Sequence, residues 1–498
     1  MKTDHYSTFI KNQLSLLAFL PLIFVSVVKG AGDTPNVVFI IADDLGFNDV
    51  GYNGSEIRTP RLDAMANEGL QLDRFYAHPV CSPTRAALMT GQSPTRLGVI
   101  RPISKIEKKG LPLDRTILPQ FFSEAGYQTL MVGKWHLGHA RTEYLPTSRG
   151  FEHFYGHVTG GIGFWDKVHG GGYDWQRNGT TVREDGYTTH LIADEAVQLI
   201  EDRDTARPLF LYAAFNAPHL PNEAPEETIN SYPDIENINR RTHAAMVTEL
   251  DTAVGRIIDA LGAADMLDNT IVWFISDNGG LIPGLYSART ANLLDRDGNP
   301  LLPDSPKPEK FIEFININNT LGTSNNHPYK KGKSFAYEGG IHVPAIIWWP
   351  EQYQARRVTD MITVEDILPT LLSIAGIPNH VNQQFDGADQ SNVLTQNRQT
   401  NRPDFHVRSF DGSTIIRNPW KLTVPPRGTP KLYNLEDDPT EEMEIADNNA
   451  DIVQTLLAAI EAFPKGKLIG PPAHEAMWDP DFFGGEEDRA PWADVVDK

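Results

Sequence analysis

One cysteine, Cys81, stands in a chain of 498 residues. Its solitude excludes an internal disulfide framework and any zinc site built on paired thiolates. Basic residues are also scarce: 44 Lys and Arg face 65 Asp and Glu, a formal charge of −21. So acidic a surface repels phosphate backbones and does not release their counterions, which excludes nucleic acid and anionic membranes as partners. Past residue 30, no apolar run approaches the roughly 20 residues of a membrane-spanning helix. Internal repeats and long low-complexity segments are missing too. What remains is a chain long enough for one large core and a smaller unit.

Residues 1–30 read as a secretory signal. Lys2 and Lys11 flank a polar start, Leu14 to Val28 form an apolar core interrupted by Pro21, and Val28-Lys29-Gly30 precedes Ala31. The expectation is an exported protein, periplasmic or secreted, without stable membrane insertion. Loss of Lys2, Lys11, Lys29 and Asp4 with that segment takes the formal charge from −21 to −23.

Short apolar runs alternate with amphipathic stretches through the first three quarters of the chain. Val37 to Ala42, Thr129 to Val132, Leu209 to Phe215, Thr270 to Ile275 and Val343 to Trp349 suit strands buried on both faces. Helical stripes lie between them: Leu62, Met65 and Ala66 after Thr59-Pro60; Ile117 to Ala125; Leu191 to Leu199; Met246 to Leu261, stopped by Gly262; and Ile367 to Ala375. This alternation predicts an α/β domain, residues 31–378, whose large, mostly parallel sheet is sandwiched by helices. Past Pro378, strand-like pieces at Phe405 to Phe410, Thr414 to Arg417 and Lys421 to Val424, then a helix around Ile452 to Phe463, predict a C-terminal subdomain, residues 379–498. It would hold a smaller antiparallel sheet with one helix, ending in an irregular tail from Pro471. The Pro- and Asn-rich stretch from Gly280 to Lys333 is too long for an ordinary connection and reads as a functional loop.

Open parallel sheets bind ligands beyond the carboxyl ends of their strands. The first predicted strand runs straight into Asp43-Asp44, and TIVWFIS runs into Asp277-Asn278 and a Gly-Gly turn. YQTLMVG delivers Lys134 and His136, two apart and on one side if extended, and LFLYAAFNAP delivers His219. In CSPTRAALMTGQ, Ser82 is an apt N-cap and Pro83 an apt first helical residue, so Cys81 is expected just off a helix N-terminus, with Arg85 reaching back to it. The histidines and lysines taken singly also fit ordinary structural or surface roles. In this order, however, Asp43-Asp44, C-x-P-x-R, G-K-W-H, A-P-H, D-N-G and K-(x)4-E-G-G resemble the signature of the type I, formylglycine-dependent sulfatases of the alkaline-phosphatase-like superfamily, and LYNLEDDPTEE resembles that family's C-terminal unit. The match spans roughly Pro35 to Phe463.

The resemblance implies an exported sulfuric ester hydrolase. Asp43, Asp44, Asp277, Asn278 and residue 81 would ligate a divalent ion. An oxygen-only set of this kind suits Ca2+, with Mg2+ as the alternative. Arg85, Lys134, His136, His219 and Lys333 would line the sulfate, Lys333 being chosen over Lys330 and Lys331 for its distance to Glu338. Cys81 would be converted to formylglycine by a maturation enzyme, its hydrated aldehyde attacking sulfur while His219 protonates the leaving alcohol and His136 takes the proton that expels sulfate. A sulfated poly- or oligosaccharide is the expected substrate, with Trp165, Trp175, Arg149 and His157 as candidates to read it. The rival readings are a phosphate or phosphonate monoester hydrolase of the same superfamily and an inactive glycan-binding relative.

Overall fold

The computed structural model describes residues 34–284 apart from 170–171, residues 316–470 apart from 397–399, 401, 403 and 410–411, and residue 495. The N-terminal signal, residues 285–315 of the long loop and nearly all of the tail lie outside the described residues. Among the described residues no helix is long and apolar enough to cross a membrane.

Among the described residues sixteen strands fall in chain order: β1 Asn36–Ala42, β2 Leu70–Tyr76, β3 Gln128–Lys134, β4 His153–His157, β5 Val168–His169, β6 Gly172–Tyr173, β7 Gln176–Arg177, β8 Thr180–Thr181, β9 Leu209–Ala214, β10 Thr270–Ser276, β11 Ala345–Trp348, β12 Arg356–Thr363, β13 Phe405–Ser409, β14 Gly412–Arg417, β15 Trp420–Val424 and β16 Lys431–Asn434. Ten of them make one sheet in the order β12-β2-β11-β10-β1-β9-β3-β4-β7-β8. Its centre is parallel: β1 pairs with β10 on one side and β9 on the other, and β3 and β4 continue in the same sense. Only β11 and β7 run against it; β8, antiparallel to β7, returns to the sense of the centre.

The two faces of the sheet carry separate cores. Alternate residues of β1 go to each: Val37, Phe39 and Ile41 to one, Val38, Ile40 and Ala42 to the other. All six are fully buried, and each large side chain so removed from water stabilises the fold by roughly 1.5–3 kcal/mol. The longest helix, Ile238–Ala263, covers the second face through Ala245, Met246, Leu250, Val254 and Ile257. It starts at Asn237, whose side chain accepts from the amides of Asn239 and Arg240. Gly262 does not end it as its composition suggested: the helix runs to Ala263, because Gly262 still accepts intrahelical geometry and the turn comes at Ala264.

The second sheet is the antiparallel meander β13-β14-β15-β16, with helix Ala450–Ala462 packed over Ile415, Leu422 and Leu432 through Leu456. Its other face meets the main domain at Tyr76, Ala336, Ile341 and Met361.

Candidate active site

The central strands end side by side, and the register puts their following residues together. Ala42 pairs with Ser276, so Asp43 and Asp277 leave the sheet as neighbours. The Asp277 amide donates to Ala42 O at 3.0 Å, and the Asp43 amide donates to Ala217 O at 3.0 Å, just past β9. Asp44 has φ 65°, a left-handed conformation that turns the chain back over the sheet end, and its amide donates to Asp277 Oδ1 at 3.2 Å.

Helix Cys81–Thr90 is buried along all ten residues and aims its N-terminus at this point. It begins earlier than expected: Cys81 is its first residue and Val80 precedes it, with Pro83 third. Ser82 is not the cap, because its hydroxyl is spent elsewhere, donating to His136 O at 2.9 Å and accepting from the Ile103 amide at 3.0 Å. Cys81 Sγ lies 3.4 Å from Asp43 Oδ1. Burial, then Asp277, pushes its thiol well above the usual range despite Lys134 nearby. An unoxidised Cys81 is therefore an inert thiol at neutral pH, not a thiolate nucleophile.

Three cations face three carboxylates here. Arg85, fully buried, donates through Nε to Asp277 Oδ2 at 3.0 Å, with Nη2 at 2.9 Å from the same oxygen, and its Nη1 donates to Lys134 O at 2.8 Å. Lys134 Nζ donates to Asp43 Oδ2 at 2.6 Å and Lys333 Nζ to Asp44 Oδ2 at 2.6 Å. Burial raises the pKa of Asp44, but Lys333 and His219 outweigh it and hold the carboxyl well below its usual range. Asp277 goes the other way, to about 6, through burial and the charge of Asp43.

His219 Nε2 stands 3.6 Å from Asp44 Oδ2, while its Nδ1 donates to Leu220 O at 2.7 Å. Burial and Lys333 depress its pKa to about 3. His136 is left-handed, φ 56°, so the G-K-W-H segment turns instead of extending, and its Nε2 is 3.1 Å from Ile103 O. The loop at Gly160 and Gly161 passes directly over both rings: a side chain at Gly160 would come within 2.8 Å of His136, and one at Gly161 within 3.0 Å of His219.

The donor atoms of Asp43, Asp44, Cys81 and His219 all lie within 4.8 Å of one another. Asn278 donates through Nδ2 to Asp44 Oδ1 at 2.8 Å, while its buried Oδ1 has no hydrogen-bond partner. A buried amide oxygen without a donor beside three carboxylates is the chemistry of a hard-cation site, so these residues fit Ca2+ or Mg2+. Asp277 stands slightly apart from the convergent group, tied to Arg85 and the Asp44 amide.

The long loop returns to this site. Asn326 exchanges both hydrogen bonds with Gly280, at 2.9 Å each, and the Lys333 amide donates to Gly280 O at 3.1 Å. Gly279 is required by close approach: a Cβ there would lie 1.9 Å from Gly339 O. D-N-G-G and E-G-G are thus two halves of one packing contact. Lys330 and Lys331 point elsewhere, the first to Glu441 O and the second over Phe335.

Three of the four candidate substrate readers are not available. Arg149 is buried and donates to Leu111 O, Pro112 O and Arg115 O; His157 is buried against Trp175; Trp175 is buried with its Nε1 donating to Glu184. All three are buried and committed to structural contacts, Arg149 to the 111–115 segment and His157 and Trp175 to each other. Trp165 is 48% exposed and packs on Tyr187. Asp44 also borders a small surface recess with Leu220, His243, Leu281 and Ser324, and His243 in turn lies 3.1 Å from the buried Asp49. Motif reading missed His243, Asn326 and the hydroxyl of Ser82; Asn-rich composition in the long loop was the one available signal.

The Sulfatase family model matches residues 35–377. Arylsulfatase J of Mus musculus is 30% identical over 519 residues, covering 90% of this chain and 80% of its own length. N-acetylgalactosamine-6-sulfatase of Homo sapiens is 32% identical over 411 residues, covering 78% of this chain and 70% of its own length. The solved structure of Ps i-CgsB in complex with k-i-k-neocarrahexaose superposes with a TM-score of 0.75 at 28% identity, over 90% of this chain and 98% of that one.

Proposed function

The chain belongs to the sulfatase family and is a sulfuric ester hydrolase, and from that premise we propose that it is exported and removes sulfate from a sulfated poly- or oligosaccharide, with Cys81 as formylglycine and with a bound Ca2+ ion. The observation that carries this reading is the convergence of Asp43, Asp44, Cys81 and His219 within 4.8 Å, flanked by the ammonium groups of Lys134 and Lys333. Relatives support the substrate class: one is named for a sulfated amino sugar and another was solved with a carrageenan-type hexaose.

Asp43, Asp44, Asp277, Asn278 and residue 81 would hold the Ca2+, which supplies Lewis acidity toward the sulfate oxygens; Mg2+ would use the same donors. Conversion of Cys81 by a maturation enzyme, followed by hydration, supplies an oxygen nucleophile and the second hydroxyl needed for turnover. Lys134 and Lys333 offset the negative charge of the incoming ester, solving locally the problem of an anion approaching an acidic protein. Arg85, bound to Asp277 Oδ2 and Lys134 O, would fix Asp277 and complete the positive lining of the sulfate. The Nδ1–H of His219 is committed to Leu220 O, so Nε2 is the atom that exchanges a proton with the leaving alcohol, with Lys333 beside it. Neutral in the substrate-free pocket, His219 gains proton affinity when a sulfate anion settles next to it. His136 spends Nε2–H on Ile103 O, which leaves Nδ1 as its basic atom for the proton of the second hydroxyl.

The test is a screen of defined sulfated oligosaccharides with the exported, aldehyde-containing, Ca2+-loaded protein, scored by sulfate release. Release from at least one oligosaccharide faster than from an aryl sulfate is expected. Activity confined to aryl sulfates removes the saccharide assignment, and a preference for matched phosphate or phosphonate monoesters restores the rival esterase reading.

A further inference from the structure

Lys421, on β15 of the C-terminal sheet, is fully buried, and its ammonium lies 2.8 Å from Glu338 Oε1 and 2.8 Å from Glu441 Oε1. Glu338 is the acidic residue of E-G-G. Its other oxygen accepts from Tyr76 Oη at 2.8 Å and lies 3.1 Å from His342 Nδ1. Glu441, in the segment after β16, closes the triangle: its Oε2 accepts from the Glu338 amide at 2.7 Å, and its carbonyl accepts from Lys330 Nζ at 2.8 Å.

The segment clamped in this way is the one that carries Lys333. Gly339 donates to Lys330 O at 2.9 Å, closing the segment into a loop, and Gly340 O accepts from the Gly279 amide at 3.0 Å. At the other end the Lys333 amide is held by Gly280 O at 3.1 Å and the Ser334 amide by Pro79 O at 2.7 Å, two residues before Cys81. Hydrogen bonds from Lys421 to Glu338 and from Gly339 to Lys330 O, joined by the short stretch of backbone from Lys330 to Lys333, therefore connect Lys421 to the segment whose ammonium sits on Asp44. If burial alone were at stake, apolar side chains of similar volume would stabilise the contact as well as a buried charged triad does, whereas charges with directed hydrogen bonds fix one geometry.

We propose that Lys421 and Glu441 are positioning residues: the C-terminal sheet, through the Lys421–Glu338–Glu441 triad, sets the place of Lys333 in the sulfate pocket. This rests on the reading of Lys333 as a group that contacts the sulfate. Neither residue touches substrate.

A double-mutant cycle with the full-length, Ca2+-loaded protein tests it, using kcat and KM on an aryl sulfate for Lys421→Met, Lys333→Ala and the pair. Lys421→Met should lower kcat by about tenfold or more in the wild-type background and by less than about threefold once Lys333 is gone, since a residue acting through Lys333 has nothing left to position. Lys421→Arg, which keeps the charge, should recover part of the loss. An equal factor in both backgrounds, or no loss in the wild type, overturns the proposal. If Lys421→Met does not yield folded protein, Glu441→Gln takes its place: one amide oxygen cannot serve both Lys421 and the Glu338 amide, and the same two outcomes decide. Full turnover by Lys333→Ala would overturn the assignment of Lys333 together with this proposal. An impaired Lys333→Ala in an additive cycle overturns the positioning role alone.

Discussion

Replacing Arg85 by methionine separates the architecture of the site from its chemistry. Arg85 and Asp277 are both fully buried, and the guanidinium places Nε and Nη2 at 3.0 and 2.9 Å from one carboxylate oxygen while Nη1 serves Lys134 O at 2.8 Å. Methionine fills much of the same volume but leaves Asp277 facing Asp43 and Asp44 with one cation fewer. Breaking a buried pair from one side costs about 3–5 kcal/mol, chiefly the penalty of the charge left behind. Removing that charge as well, in Arg85→Met with Asp277→Asn, should therefore recover at least about 2 kcal/mol relative to the sum of the two single changes. Arg85→Lys should fall between, since an ammonium keeps the charge but cannot bridge Asp277 and the Lys134 carbonyl in one plane. Urea unfolding of the five proteins, the parent, Arg85→Met, Asp277→Asn, their combination and Arg85→Lys, in chelator measures this directly. A single-variant cost below about 1 kcal/mol, or strict additivity in the double variant, would refute the reasoning that the pocket is a balanced cluster of buried charges.

Cys81→Ala should abolish turnover, by about four orders of magnitude or more, while leaving the melting temperature near that of the parent, because the small side chain fits the same helix start. Gly279→Ala puts a methyl group 1.9 Å from Gly339 O and should destabilise the protein by about 1–3 kcal/mol or more and lower kcat as the Lys333 segment is pushed away. Asp174, buried under the loop that covers both histidines, has its pKa raised from 3.8 to about 6 by burial. The stability it contributes is whole below pH 3.8 and lost as pH rises through about 6. Wild-type stability should therefore fall, relative to Asp174→Asn, by up to about 3 kcal/mol between acid and neutral pH in denaturant titrations; parallel pH profiles would contradict this. Trp165→Ala should raise KM for a sulfated oligosaccharide by about twofold to tenfold and leave aryl sulfate kinetics unchanged, as loss of one ring-stacking contact predicts.

The strands that could be read from the chain are those buried on both faces. β1, β9 and β10 are continuous apolar runs, and their ends delivered Asp43, Asp44, Asp277, Asn278 and His219 to one place. β2 and β12 escaped notice because they lie at the margin of the sheet and carry charge: LQLDRFY and RRVTDMIT meet through Arg357 and Asp73, 2.9 Å apart and partly solvated. An apolar-run criterion has no purchase there. Arg149, His157 and Trp175 show the converse error, since residue types suited to recognising a sugar are equally suited to satisfying carbonyls and filling space beneath a glycine-rich loop. The Lys421 triad could not have been found by spacing, because it joins three segments whose neighbourhood is created only when the second sheet docks at Tyr76 and Ile341.

The proposed activity depends on an oxidised residue 81, set among buried carboxylates and lysines, cleaving sulfate esters. The most direct measurement is kcat/KM for matched aryl sulfate and aryl phosphate on Ca2+-loaded samples whose aldehyde content is determined by intact mass. Sulfate turnover should rise in proportion to aldehyde content and exceed phosphate turnover. Equal activity in samples that retain the thiol, or a clear preference for phosphate, would contradict it.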